Sequence, residues 1–109
     1  GQTQFWGWVL AARSGLQRKD TVLGMFAAAA ANYREGQPGR AWRSVEDTTL
    51  DPIITARRPI PYPSLQRSED YYVEGALVWL EADQLIRKAT GGRKGLDDFA
   101  RAFFSATPG

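Results

Sequence analysis

Four of the six prolines fall in one stretch, at Pro52, Pro59, Pro61 and Pro63. Proline fixes φ, removes a backbone donor and biases the preceding residue towards extended backbone. The segment from Arg40 to Arg67 therefore cannot be one long helix, and it is longer than an ordinary connection. It is expected to be a strap packed across the body or a functional loop. Within it, Ser44 to Asp47 offers a cap for a short helical turn.

On both sides of the strap the pattern is helical. Thr3 to Arg13 is apolar nearly all round, through Phe5, Trp6, Trp8, Val9, Leu10 and Ala12, which predicts burial on every side. Lys19 to Tyr33 places Val22, Met25, Phe26, Ala29 and Tyr33 at spacings of three and four, with strong helix formers from Ala27 to Ala31. After the strap, Ser68 is the expected N-cap of a third helix, with Glu69 and Asp70 in its first turn. Tyr72, Val73, Ala76, Leu77, Leu80 and Ile86 form its apolar stripe, and Gly91-Gly92 closes it. Leu96 to Phe104 repeats the pattern. The expectation is an all-α fold of about four helices with a long proline-rich strap between the second and third. The 109 residues suit a single domain, 1–109.

Composition narrows the chemistry. The chain has no cysteine and no histidine. That excludes disulfides, thiolate or imidazole zinc ligands, thiol nucleophiles and any Ser-His or Cys-His relay within these residues. Fourteen Lys+Arg against twelve Asp+Glu leave a formal charge of +2, and the basic residues are scattered. No nucleic-acid partner is expected from that distribution, and no apolar run reaches the length of a membrane span. The chain opens on Gly1 and its one methionine is Met25, so it is expected to be a processed or cut piece of a longer protein.

Among the carboxylates, Asp83 stands four residues before Arg87, the favourable order for a structural ion pair. Asp70 and Glu74 share that spacing and could be imagined as an acid/base pair, but their place near a helix start has a simpler explanation in the helix dipole. Arg57 and Arg58 on the strap are read as solvated, or as contacts to substrate or to acidic residues elsewhere.

Longer motifs go further. The stretches SEDYYVEGALVWLEADQLIR (Ser68–Arg87) and TGGRKGLDDFARAFF (Thr90–Phe104), with GRAWRSVEDT (Gly39–Thr48) and DPII (Asp51–Ile54), closely resemble the C-terminal part of the catalytic domain of bacterial glycyl aminopeptidases. These are zinc metallopeptidases related to thermolysin and aminopeptidase N, often followed by a PDZ domain. GQTQFWG (Gly1–Gly7) resembles the residues that follow the family's third zinc ligand, a glutamate. The resemblance implies that the H-E-x-x-H histidines and general base lie upstream and that this chain holds no metal or other cofactor. Zinc belongs to the parent enzyme, which hydrolyses N-terminal residues with zinc-activated water.

The same resemblance implies one catalytic group here. In related aminopeptidases a tyrosine in Tyr-x-Lys-Gly donates its phenol hydrogen to the oxyanion. Tyr72-Val-Glu-Gly75 matches that spacing with glutamate in place of lysine, so Tyr72 is the expected donor and Tyr71 the fallback. Thr3 is a candidate hydroxyl supporting the zinc-ligand helix, although a plain N-cap explains it equally. Expected partners are a peptide substrate, the remainder of the catalytic domain, and further copies of the chain through exposed apolar surface. The compartment, bacterial cytoplasm or periplasm, is not indicated. The rival reading is a non-catalytic helical interaction module, in which the other helices would cover the helix at Phe5 to Leu10 completely.

Overall fold

The computed structural model describes residues 1–55 and 58–106, and all regular structure among them is helical. The elements are α1 (Gln2–Arg13), α2 (Lys19–Glu35), α3 (Asp51–Ile54), α4 (Pro63–Gln66), α5 (Val73–Ala89) and α6 (Leu96–Ser105). Two 3-10 turns, Pro38–Ala41 and Asp47–Leu50, lie between α2 and α3. The four long helices match the sequence pattern, and the fold is all-α.

Helices α1, α2 and α5 pack together, and α6 rests on α5. Their common core is Phe5, Val22, Phe26, Ala76 and Leu96. The periodicity placed these apolar residues on converging faces, and aromatic contacts tie α1 to α2. The Trp8 ring meets Phe26 edge-on at 4.9 Å between centroids, and Phe5 lies 6.1 Å from the same ring. Such pairs add about 0.5–1.5 kcal/mol beyond their area burial. On α2 the expected stripe is buried at Val22, Phe26, Ala29 and Tyr33, with Met25 half-buried at its edge.

Three expectations need correction. Helix α1 is not buried on every side: Phe5 is enclosed, but Gly7 is exposed and Leu10 is 52 % exposed. Two helices, α2 and α5, cannot cover the whole circumference of a third. The third long helix does not start at Ser68. It begins at Val73 with Tyr72 at the N-cap position, because Arg67 and Glu69 take positive φ (64° and 49°) and turn the chain before it. The strap is also less extended than its prolines suggested. Pro63 opens a helical turn and Pro52 sits in the first turn of α3, where the missing N–H costs no intrahelical bond. The N-cap of the Asp47–Leu50 turn is Glu46, with no side-chain cap, and the Asp47 N–H donates to Ser44 Oγ at 3.2 Å.

The last two long helices are joined through Asp83. Its buried carboxylate accepts from Arg87 Nε at 2.8 Å and from the Leu96 N–H at 2.8 Å, so the ion pair foreseen with Arg87 also caps the start of α6. Arg13 then ties α1 to α6 by a two-pronged pair with Asp97, at 2.7 and 3.1 Å.

Candidate active-site cleft

The N-terminal ends of α1 and α5 meet at two glycines. A Cβ built on Gly75 would stand 2.7 Å from Gly1 Cα, and one built on Gly1 would stand 3.0 Å from Gly75 Cα. Only residues without side chains permit this approach. Beside it opens a cleft of about 300 Å³, with Gly1, Glu46, Thr49, Tyr71, Gly75 and Trp79 among its walls.

The segment leading into the cleft is held from below by strap residues. Thr48, fully buried, donates its hydroxyl to the Val45 carbonyl at 2.6 Å and accepts the Tyr71 N–H at 3.1 Å. Asp51, also buried, accepts the Glu69 N–H at 3.0 Å and pairs with Arg43 at 2.5 Å. These two bonds fix the backbone just before α5. The charge-assisted bond to the Asp51 carboxylate is worth about 1.5–3 kcal/mol and the neutral one to Thr48 about 0.5–1.5 kcal/mol.

Under the same turn lies Arg67, which is 2 % exposed. Its guanidinium pairs with Asp70 at 2.9 Å, with Glu74, and with the Arg43 carbonyl at 2.8 Å. Arg40 closes the group from the other side, bonding Glu74 at 2.8 Å and the Tyr33 carbonyl at 2.8 Å. Asp70 and Glu74 are therefore salt-bridged structural carboxylates, and their partner is a buried arginine rather than the helix dipole. Tyr33 points its hydroxyl at Asp70, 3.5 Å away. Burial, reinforced by the neighbouring Asp70 charge, pushes its phenol up to about 12.

The structure brings Tyr71 and Tyr72 together as a stacked pair, with 4.5 Å between centroids. Tyr71 forms part of the cleft wall, and Tyr72 is half-exposed at the N-cap of α5. Thr3 lies exposed in the first turn of α1, whose N-cap is Gly1, so the capping explanation for Thr3 falls away. Arg58 is exposed, and Arg57 lies outside the described residues. Sequence reading missed Thr48, Asp51, Arg43 and Arg67. The one available signal was the spacing of Arg67, Asp70 and Glu74, which sets both acids within a helical turn or two of one cation.

These residues do not fit a zinc ion. Histidine and cysteine are absent from the chain, and among the described residues no three carboxylates gather around a common point. Nor, among those residues, is any helix long and apolar enough to cross a membrane.

A family model described as M61 glycyl aminopeptidase matches residues 1–78. The chain belongs to that family. Among curated proteins no relative matches it. The glycyl aminopeptidase match takes in α1 to α4, the Gly1–Gly75 contact, the Arg67 cluster and both tyrosines. Most of α5 and all of α6 lie beyond it, so the likeness of Thr90–Phe104 rests on its residues alone.

Proposed function

We propose that this chain supplies the helical part of the catalytic unit of a zinc-dependent aminopeptidase acting on small N-terminal residues. Two zinc ligands and the general base belong to an H-E-x-x-H segment, and the third ligand is a separate glutamate, all outside these 109 residues. By itself the chain binds no zinc at a specific site and cleaves no peptide. Its chemical contribution is the phenol of Tyr72, or of Tyr71, donating a hydrogen bond to the oxyanion of the tetrahedral intermediate. Such a donor acts on charge that is absent from the ground state, which is why it raises kcat.

The observation that carries this reading is the contact of Gly75 with Gly1. It sets the Tyr72-x-x-Gly75 motif against the start of α1, next to where the family's pattern expects its last zinc ligand. A neutral phenol there would face developing negative charge. The uncovered side of α1 around Leu10 supports the same reading over a self-contained interaction module, whose helices would enclose α1. That surface would meet the remainder of the catalytic domain, or a second copy when the chain is alone.

The test uses the zinc-loaded enzyme that contains this segment. Tyr72→Phe lowers kcat by about 10²–10³ with KM changed little. A kcat within a few-fold of the parent enzyme for both Tyr72→Phe and Tyr71→Phe overturns the role of the phenol. Chelator-sensitive turnover by the isolated chain overturns the division of labour.

A further inference from the structure

A second cavity lies at the far end of α5, outside the part of the chain that the family model matches. It has a volume of about 300 Å³ and walls of polar atoms, drawn from the end of α5, the Thr90–Gly95 loop and the first turns of α6. Five cations line it, Arg13, Arg87, Arg93, Lys94 and Arg101, together with the carboxylates of Asp97 and Asp98. Three of the cations are already matched. Arg13 pairs with Asp97, Arg87 with Asp83, and Arg101 with Asp98.

Arg93 and Lys94 have no carboxylate within ion-pair distance among the described residues. Their loop is nonetheless held in place. The Lys94 N–H donates to Thr90 Oγ1 at 3.0 Å, and Arg93 Nε donates to the Thr90 carbonyl at 2.9 Å, leaving both Nη groups of Arg93 without a hydrogen-bond partner among the described residues. Arg87 is steered into the same space. Its Nη2 passes so close to Gly95 that a Cβ there would stand 2.7 Å away.

The helix end adds nothing to this charge. Its Leu96 and Gly95 N–H groups are taken by Asp83 and Asp98. What remains is a polar cavity with two uncompensated positive charges from side chains and guanidinium donors in a fixed frame. We infer that it binds a phosphate-type dianion, a free phosphate or a phosphomonoester, between Arg93, Lys94 and the outer face of Arg87. Arginine offers planar paired donors and lysine a point charge, the combination that suits a tetrahedral oxyanion.

Titrating the 109-residue chain with inorganic phosphate at pH 7.5 and constant ionic strength tests this, read by amide NMR shifts. Saturable shifts centred on Gly92 to Gly95 are expected. Arg93→Ala and Lys94→Ala each weaken binding about tenfold, and Arg93→Lys retains more affinity than Arg93→Ala. Both positions, Arg93 and Lys94, are exposed in the loop, so the helices persist, which circular dichroism checks. Arg34→Ala, on exposed α2 surface, leaves affinity unchanged. Shifts that grow linearly without saturation, or that survive in the Arg93→Ala/Lys94→Ala double variant, overturn the site. If binding holds, phosphatidic acid vesicles that sediment the chain but not the double variant assign the phosphate to a lipid headgroup. Vesicles that leave it in solution assign a soluble monoester.

Discussion

Gly1 and Gly75 touch backbone to backbone, with room for a Cβ on neither residue. Gly75→Ala therefore has to push the start of α1 away from the first turn of α5. The added methyl meets main chain, which cannot rotate aside as a side chain can. The gain in helix propensity of alanine over glycine, about 1 kcal/mol, opposes a steric cost of about 1–3 kcal/mol. A net loss of stability is expected, measured as a lower urea midpoint with an unchanged slope. Equal or higher stability would show that the two helix ends do not approach this closely.

The two stacked tyrosines separate under substitution. Tyr71 is half-buried against the cleft and its N–H is fixed by Thr48, whereas Tyr72 is 45 % exposed. In the zinc-loaded enzyme the residue that donates to the oxyanion loses kcat as phenylalanine and keeps its stability. Its neighbour as phenylalanine keeps kcat within a few-fold. Loss of kcat in both, with KM rising in parallel, would indicate that the pair acts by shaping the cleft.

Thr48→Val isolates the floor of the same turn. Valine keeps the volume but cannot accept the Tyr71 N–H or donate to the Val45 carbonyl. A buried donor without a partner costs about 1–3 kcal/mol, so thermal denaturation should show a clear fall in midpoint. Thr48→Ser, which keeps the hydroxyl, should recover most of it.

The four long helices were legible because their apolar spacing is local information. Val22, Phe26 and Ala29 identify their buried face by spacing alone. What the pattern did not reveal is set by distant partners. Arg67 reads as one more surface arginine until α5 brings Glu74 over it and Asp70 folds back. Arg67 and Glu69 stand at positive φ, so the helix starts at Val73 and not at the cap expected at Ser68. The burial of α1 was overstated for a related reason: its composition reports what it could bury, not how many neighbours it has. The tyrosine motif was visible only through likeness to a family. Its nearness to Gly1 depends on two glycines 74 residues apart in number, a relation without periodic signal.

Arg67→Met is expected to cost about 3–5 kcal/mol, because it leaves Asp70 and Glu74 buried without their cation. Arg40 can still reach Glu74 but not Asp70. Adding Asp70→Asn and Glu74→Gln to Arg67→Met should restore much of the loss, since the uncompensated charges are then gone. Denaturant unfolding of the single and triple variants measures the difference. A triple variant no more stable than the single one would place the cost in lost packing instead.

Stability also falls on the acid side. At Asp83 burial alone would raise the carboxyl, but the bonds from Arg87 and the Leu96 N–H outweigh it and hold it below the usual range. At Asp97 the bond from Arg13 does the same. Both carboxyls therefore take up protons more readily in the unfolded chain. Their contribution is present above the unfolded value near 3.8 and is lost as pH falls from there through the folded values. Asp83→Asn and Asp97→Asn should flatten the acid limb of a stability-against-pH curve while leaving its neutral region lower. An unchanged acid limb in the double variant would sink the assignment.

On the alkaline side Tyr33 contributes. Its phenol is buried beside Asp70 and titrates at about 12, against the usual value of 10.0. As pH climbs past the usual value, the unfolded chain gives up this proton while the folded chain keeps it, so stability declines until the folded value is reached. The stabilising contribution is thus fully present at neutral pH and disappears between those two values. Tyr33→Phe keeps the ring in the core and removes the ionisable hydroxyl, along with its long bond to Asp70. Urea unfolding at pH 8 and pH 11 reads the difference: wild type should lose more stability between the two than Tyr33→Phe does. Parallel losses would mean that the alkaline limb belongs to other groups and that the Tyr33 hydroxyl is open to water.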